Sequence, residues 1–354
     1  MEKLNILLIF GGKSAEHEIS IESAKNIYKN IDLNRYNLFL QWIDKKGSPF
    51  YVENTTTLDY ESLNNTTNKQ PSTLININNK VYFYNLTNNA IISELDIAFP
   101  LIHGPTGEDG VIQGFLSILY LPYVGSSVLP SAICMDKVIT KKLISQTSIR
   151  TAKYISLGTY EREHIHTNKI IEKLRLPLFV KPASLGSSIG ITKVKSDNEL
   201  QEAINYAFHF DKKIIIEESI IGREIECAVL GNFADNIIVS QPGEIITKGD
   251  FYSYEAKYSD GNATELVIPA KIDPNVAEQI KNIALLAYKT LQCEDYARVD
   301  MFLDKSNNIY LNEINTIPGF TKHSMYPMLM TLEGFSLPSL IDKLIHIALK
   351  RSKH

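Results

Sequence analysis

The chain has 354 residues, 44% apolar and 21% charged, which suits two or three domains with a substantial core and excludes a largely disordered protein. A net charge of −4 without a basic run excludes the electrostatic footprint of a nucleic-acid binder or of a protein held on a membrane surface. Cys134, Cys227 and Cys293 sit far apart in apolar patterns, with neither metal-ligand spacing nor a disulfide framework, and no signal peptide or membrane span is visible, so buried thiols and a cytoplasmic location are expected.

Residues 4–10 form a continuous apolar run that ends at Gly11-Gly12, after which Ile19, Ser23, Ile27 and Ile31 recur every four positions. This is a strand, a glycine turn and a helix, a unit that brings backbone N–H groups to a strand's carboxyl end. The turn, residues 11–20, is not a GxGxxG fingerprint, and no GxxxxGK[ST] occurs, so neither a dinucleotide fold nor a Walker-type NTPase is supported. Glu16 and Glu18 in this turn suit an ammonium ligand, or equally the positive end of the helix dipole. Residues 38–43 read as a second strand, and residues 54–89, rich in Asn and Thr, as surface loop around a weak hairpin at 75–84. Another strand is expected over 95–102, broken by the polar turn His103-Gly104-Pro105-Thr106-Gly107-Glu108-Asp109-Gly110. His103 alone reads as readily structural as functional. A helix marked by Ile112, Phe115, Leu116 and Leu119 follows, then a short strand at 121–124, completing a parallel βα pattern.

Ala132, Met135, Ile139 and Leu143 predict one face of the next helix, which carries Lys137 near its start, and residues 153–157 predict a strand. The run 178–190, LFVKPASLGSSIG, delivers Lys181 on a strand and opens into a loop of small residues. Such a loop lets N–H and hydroxyl groups approach phosphate oxygens, with Lys181 adding charge, although Gly/Ser-rich loops are also common linkers. After a helix over Leu200, Ala203, Ile204 and Ala207, the strand 213–218 ends in Glu217 and Glu218, with Glu224 and Glu226 close behind; these carboxylates suit an exocyclic amine and ribose hydroxyls, or an edge strand's charges. Residues 251–258, FYSYEAKY, read as an ordered functional loop, and Asp273-Pro274 as a helix start.

In residues 295–319, DYARVDMFLDKSNNIYLNEINTIPG, strand patterning and hard ligands coincide. Ala297, Val299, Met301 and Leu303 alternate with Tyr296, Arg298, Asp300 and Phe302, which puts Arg298 and Asp300 on one face. After the turn at 305–308, Ile309, Leu311, Glu313 and Asn315 are expected on one face of a returning strand. Asp, Glu and Asn offer only oxygen, which suits Mg²⁺ and not zinc; the alternative is an acidic hairpin with a solvated face. A polar turn at 321–325 and a packed helix around Leu340, Ile341, Leu344, Ile345 and Ala348 close the chain.

Taken together, GGKSAEHEIS, HGPTGEDG, VKPASLGSSIG, FYSYEAKY, ARVDMFL and NEINTIPGFT, in this order over nearly the whole chain, resemble the D-alanine–D-alanine ligases of the ATP-grasp superfamily. The resemblance implies an α/β and α+β protein with an ATP-grasp fold: a Rossmann-like N-terminal domain (1–130), a central subdomain (131–222) and a C-terminal domain carrying the metal site (223–354). It implies ATP-driven joining of two D-alanines through a D-alanyl phosphate for peptidoglycan synthesis, by a homodimer using Mg²⁺, for which Mn²⁺ can substitute. By position, Asp300, Glu313 and Asn315 match the metal ligands. The ATP site is matched by Lys137, Lys181, Ser187, Ser188, Glu217, Glu218, Ile220, Glu224 and Lys257, with Glu217 and Glu224 at adenine and ribose. Glu16 matches the carboxylate that holds the first D-alanine's ammonium, His103 a histidine near it, and Ser324 and Met325 the second carboxylate site. Lys257 and Tyr258 belong to a closing loop, and Arg298 with the backbone of Gly319 faces the developing oxyanion. Glu16, Ser187, Tyr258, Arg298 and Gly319 form the implied catalytic set. Tyr258 is the residue that favours an amine over a hydroxy acid as second substrate. Another carboxylate–amine ligase of the superfamily, or a regulator that binds nucleotide without turnover, are the competing readings.

Overall fold

The computed structural model describes residues 3–53, 58–65, 69–233, 236–247 and 264–353, and its strands form three sheets. The first contains β1 (Leu4–Gly11), β2 (Tyr36–Ile43), β3 (Pro49–Val52), β4 (Gln70–Ile77), β5 (Lys80–Asn85), β6 (Ala90–Leu95) and β7 (Ile97–Pro100), in the order β6-β5-β4-β3-β2-β1-β7. β1 runs parallel to both its neighbours, β2 and β7. A strand in that position buries both faces, which is why residues 4–10 show no alternation. Ile6, Leu8 and Phe10 pack with Ile21, Ala24 and Ile27 of α1 (His17–Asn30), while Leu7 and Ile9 pack on the other side with Leu74, Phe83 and Leu116. Helix α2 (Tyr60–Asn65) precedes β4, and α3 (Val111–Ile118) follows β7.

Four expectations are corrected here. The Asn/Thr-rich stretch is not a loop around a weak hairpin: β4, β5 and β6 extend the first sheet as antiparallel strands. Their inward residues Leu74, Val81, Phe83 and Leu95 are buried, and Asn78 and Asn79 take positive φ in a two-residue turn that asparagine tolerates. The strand expected over 95–102 breaks at Asp96, whose carboxylate accepts from the Asn5 N–H at 2.7 Å, so β6 and β7 are separate. The strand expected at 121–124 reduces to one bridge between Ala98 and Tyr123. Finally, the single helix expected to carry Ala132 to Leu143 is two, α4 (Val128–Met135) and α5 (Lys137–Ile144). Asp136 separates them, its carboxylate accepting from the N–H groups of Val138 and Ile139 at 3.0 and 3.1 Å as the cap of α5. The break turns Ile139 and Leu143 outward and buries Lys137, Val138, Thr140, Lys141 and Ile144 instead.

After the short β8 (Arg150–Thr151), the second sheet is built from β9 (Tyr154–Gly158), β10 (Leu178–Pro182), β11 (Thr192–Val194) and β12 (Lys213–Glu218), in the order β11-β10-β12-β9. Helices α6 (Thr167–Leu174) and α7 (Asp197–Ala207) cover it through Ile170, Leu174, Leu200, Ala203 and Ile204. The third sheet holds β13 (Gly222–Leu230), β15 (Gly243–Thr247), β16 (Thr264–Val267), β17 (Tyr296–Asp304) and β18 (Ile309–Asn315), ordered β16-β15-β13-β17-β18-β8, with β14 (Ile238–Val239) paired to β13. Helix α8 (Pro274–Thr290) starts at Asp273-Pro274 as expected, Asp273 accepting from the Asn275 N–H at 2.8 Å, and lays Val276, Ile280, Ala284 and Ala287 on the apolar face of β13 and β17.

The opposite face of that sheet is left for chemistry. The chain ends with α9 (Met325–Leu332) and α10 (Leu337–Arg351). Leu340, Ile341, Leu344, Ile345 and Ala348 of α10 join the core formed by β1 and α1, each such burial being worth about 1.5–3 kcal/mol. Arg351 donates to the carbonyls of Tyr123 and Gly125 at 2.8 and 2.7 Å, fastening this last helix to the end of the first sheet's region. Among the described residues, no helix is long and apolar enough to cross a membrane.

Candidate active site

The three sheets enclose a cleft of about 830 Å³ that carries all the candidate residues lying among the described ones: Glu16, His103, Lys137, Lys181, Ser187, Ser188, Glu217, Glu218, Ile220, Glu224, Arg298, Asp300, Glu313, Asn315, Gly319, Ser324 and Met325. Lys257 and Tyr258, with the whole stretch 251–258, lie outside the described residues.

The floor is the polar face of β17 and β18. Asp300 stands opposite Glu313 and Arg298 opposite Asn315, so the four side chains form two adjacent cross-strand pairs. One expectation needs correcting. Strict alternation put Ile309 and Leu311 on the face of Glu313 and Asn315, yet Leu311 pairs with Met301 while Glu313 pairs with Asp300, leaving Asn312 as a bulge between them. The extra residue shifts the phase, so Ile309, Leu311 and Ile314 enter the apolar core and Glu313 and Asn315 turn to the cleft. Arg298 grips Asp300 with two parallel hydrogen bonds of 2.8 and 2.7 Å and lies 3.0 Å from Glu226, the residue facing Asp300 on β13. Burial works against the charged guanidinium, and Asp300 and Glu226 outweigh it, raising its pKa further. Lys137 spans from α5 to Glu313 at 3.3 Å and donates to the Leu185 carbonyl at 2.7 Å.

Among the described residues, no three His, Cys, Asp or Glu side chains cluster in a metal-holding arrangement. The donor set is instead two carboxylates and an amide, all oxygen, on neighbouring strands. Each carboxylate already faces a cation, Arg298 or Lys137, and Asn315 uses its amide oxygen for the Ile317 N–H at 2.9 Å, with a second lone pair still to offer. This set fits a magnesium ion that keeps most of its waters.

The roof comes from β10, its following loop and β12. Lys181 on β10 reaches Glu217 at 2.6 Å, and Lys141 of α5 reaches the same carboxylate at 2.7 Å. Burial pushes the Glu217 carboxyl up, but the two ammonium groups prevail and hold it at about 2. The resemblance put Glu217 at the adenine; here both carboxylate oxygens are engaged by lysines, which makes the side chain a counter-ion within the nucleotide region. Glu218 accepts from the Lys153 N–H at 2.8 Å. In the loop after β10, Ser187 and Ser188 hold φ of 52° and 58°, a left-handed conformation that costs roughly 1–2 kcal/mol per residue. Strain of this kind gathers where a loop is shaped for a ligand.

The wall comes from the first sheet's turns. A Cβ on Gly104 would lie 3.2 Å from a Glu16 carboxylate oxygen and one on Gly186 would lie 3.9 Å from it, so Glu16 sits between the turn after β7 and the loop after β10. His103 is buried, with Nδ1 3.0 Å from the Ile317 carbonyl and 3.7 Å from Glu108, and Nε2 3.3 Å from the Ser23 hydroxyl. A carbonyl only accepts, so Nδ1 carries a proton. Burial acts to lower the imidazole's pKa, and Glu108 and Glu16 outweigh it, raising the value. At the far end, a Cβ on Gly319 would come within 2.8 Å of the Ser324 hydroxyl, so only glycine leaves this backbone open. Ser324 precedes α9, whose N-terminus and Met325 border the cleft, a setting suited to a carboxylate.

Lys141 and Glu108 were not singled out as site residues from sequence, and Glu226, read there among the carboxylates suited to a nucleoside, instead faces Arg298. For Lys141 a signal existed: it lies four residues after Lys137, hence one helical turn along the same face.

A cleft that sets an oxygen-only floor against a lysine-bearing roof and a strained loop of small residues, between two sheets of the α+β type and beside a mixed sheet whose centre, β2, β1 and β7, is parallel, defines an ATP-grasp carboxylate–amine ligase. The chain belongs to the D-alanine–D-alanine ligase family: the family models "D-ala D-ala ligase N-terminus" and "D-ala D-ala ligase C-terminus" match residues 5–126 and 143–346. It is 46% identical over 357 residues to the D-alanine–D-alanine ligase of Oceanobacillus iheyensis, covering 99% of this chain and 96% of that one. Among solved structures, the D-alanine-D-alanine ligase from Coxiella burnetii superimposes with a TM-score of 0.88 at 36% identity, covering 100% of this chain and 96% of the other. The VanG D-Ala:D-Ser ligase from Enterococcus faecalis gives the same TM-score, 0.88, at 36% identity, covering 98% and 100%. The Rossmann-like first domain and the ATP-grasp fold expected from sequence are therefore those of its relatives.

Proposed function

We propose that the chain joins two D-alanine molecules into D-alanyl-D-alanine with conversion of ATP to ADP and phosphate, in the cytoplasm, for peptidoglycan assembly. The observation that carries this reading is the convergence on one cleft of Glu16, the lysines at 137 and 181, and the cross-strand set Asp300, Glu313 and Asn315. ATP lies with its phosphates between Lys137, Lys181 and the loop bearing Ser187 and Ser188, and its nucleoside toward Glu217, Glu218, Ile220 and Glu224. Asp300, Glu313 and Asn315 would hold Mg²⁺ or Mn²⁺, which when bound neutralises phosphate charge and orients the terminal phosphoryl group.

The first D-alanine places its ammonium at Glu16, near His103, and its carboxylate attacks the γ-phosphorus. ADP leaves, and an acyl phosphate replaces an unreactive carboxylate. The lysines stabilise the transferred charge. The second D-alanine, its carboxylate near Ser324, Met325 and the N-terminus of α9, attacks the acyl carbon through its free amine. The tetrahedral oxyanion is met by Arg298 and the Gly319 N–H, phosphate departs, and the amine's surplus proton is released. Ser187 belongs to the loop that covers the phosphates, the place the resemblance gives it. Lys257 and Tyr258 keep the closing role that the resemblance assigns, excluding water from an intermediate that hydrolyses.

A homodimer belongs to the same proposal, supported by the exposed apolar side chains Val111, Phe115 and Ile118 along α3; light scattering at working concentration tests it. A D-serine acceptor is the second reading, favoured by the equal structural match to a D-Ala:D-Ser ligase. Phosphate release from ATP on adding D-alanine, with identification of the dipeptide formed from mixed D-alanine and D-serine, decides between them. Folded protein that releases no phosphate with D-alanine would defeat the main reading.

A further inference from the structure

Helix α5 presents two lysines on one buried face, and only Lys137 opens on the site's reacting end. Lys141 lies one turn further along, 2% exposed, with its ammonium 2.7 Å from Glu217, 3.4 Å from the Ala152 carbonyl and 5.7 Å from the centre of the Tyr154 ring. Burying an ammonium this deeply is costly unless it is paired, and its partner here is already paired with Lys181. Glu217 is therefore shared by two lysines that border the same cleft, and the three side chains together carry one positive charge.

With Glu217 and Lys181 alone, the pair would be neutral and the ammonium would be held back by an undivided carboxylate. A second lysine on Glu217 divides that attraction and leaves this three-residue cluster with one positive charge for an incoming polyanion. We infer that Lys141 is a positioning residue for nucleotide binding, which keeps Lys181 available to the phosphates by sharing its counter-ion Glu217. Lys141 touches no reacting atom in this arrangement; it acts through Glu217. The inference rests on the assignment of Lys181 to the nucleotide phosphates made above.

The test uses the full chain, with ADP and Mg²⁺ as the probe, read by calorimetry alongside steady-state kinetics. Lys141→Met should raise the Kd for ADP and the KM for ATP about ten-fold, an effect of the size expected for one partly screened charge, while the KM for D-alanine stays within about two-fold. A purely structural role would lower the melting temperature without this split. Removing both ends of the buried pair, in K141M/E217Q, should lower the Kd for ADP at least about three-fold from that of K141M, because Lys181 then has no carboxylate holding it back. ADP binding by K141M at parental strength would overturn the inference, as would a double variant that binds as weakly as K141M. Should K141M not fold, K141Q, whose amide can still donate to the Ala152 carbonyl, carries the same test with the same two outcomes. Lys181→Met is the control for the assignment beneath: unchanged ADP binding in K181M removes Lys181 from the phosphates whatever Lys141 does.

Discussion

The floor and the roof of the cleft are both built from buried ions, with opposite surplus. On the floor Arg298 and Lys137 face Glu226, Asp300 and Glu313, so among these side chains carboxylates outnumber cations. On the roof Lys141 and Lys181 share Glu217, so among these three side chains cations outnumber carboxylates. A cation on such a floor and a polyanion under such a roof complement each other, which is what the proposed magnesium nucleotide would supply. Buried ion pairs seldom repay their desolvation, so this unbalanced arrangement is better understood as preorganisation for a ligand than as a source of stability.

Disabling the floor should do the most damage. Arg298→Met strands Asp300 and Glu226 beside each other and removes an oxyanion donor, so a rate loss of about 100- to 1000-fold is expected, with a fall in stability of about 3–5 kcal/mol. Stopped-assay phosphate release and urea unfolding measure the two effects separately. Glu313→Gln keeps shape but weakens the cation site; about 10- to 100-fold more Mg²⁺ should be needed for half-maximal activity, with an unchanged melting temperature, and an unaltered Mg²⁺ requirement would remove Glu313 from the ligand set.

The roof can be probed by pH. Glu217 has a folded-state pKa depressed from 4.5 to about 2, so its contribution to stability is complete above pH 4.5 and is lost as pH falls toward 2. Urea unfolding between pH 5 and 2.5 should therefore show a steeper loss for the parent than for K141M/E217Q; parallel curves would mean that Glu217 is not held by its lysines. Asp136→Ala should have the smallest effect, about 1 kcal/mol, by uncapping the helix that supplies one lysine to each side, with a further contribution from the lost Lys213 pair. Circular dichroism melting detects that change.

The face shared by Arg298 and Asp300 was legible because an undisturbed strand alternates with period two. On the returning strand the same rule placed Glu313 and Asn315 together correctly but grouped them with Ile309 and Leu311, since a bulge at Asn312 leaves no mark in residue type. The break in the helix at Asp136 was missed for a related reason: Ala132, Met135, Ile139 and Leu143 fit one continuous helix, and an Asp in mid-run looks solvent-facing until it is seen to cap. The strands at 70–95 were obscured because their outward face and turns are rich in Asn and Thr while each buries few apolar residues. Lys141 escaped, and the partner of Glu226 was missed, because a buried charge can be recognised only from its partner, here contributed by distant strands. By contrast, the loop after Lys181 and the turn at Glu16 were legible as breaks at strand carboxyl ends, since glycines and short polar residues interrupt an apolar run there.

The packing of α10 against β1 and α1 has a consequence for how the chain is made. Arg351 binds the Tyr123 carbonyl across 228 positions, and the apolar face of α10 completes a core begun by the first strand. On a ribosome the core that β1 and α1 begin therefore emerges incomplete and stays so until residues 337–351 have been translated. Vectorial synthesis leaves this enzyme's N-terminal third dependent on its C-terminus, a natural stretch for chaperone attendance.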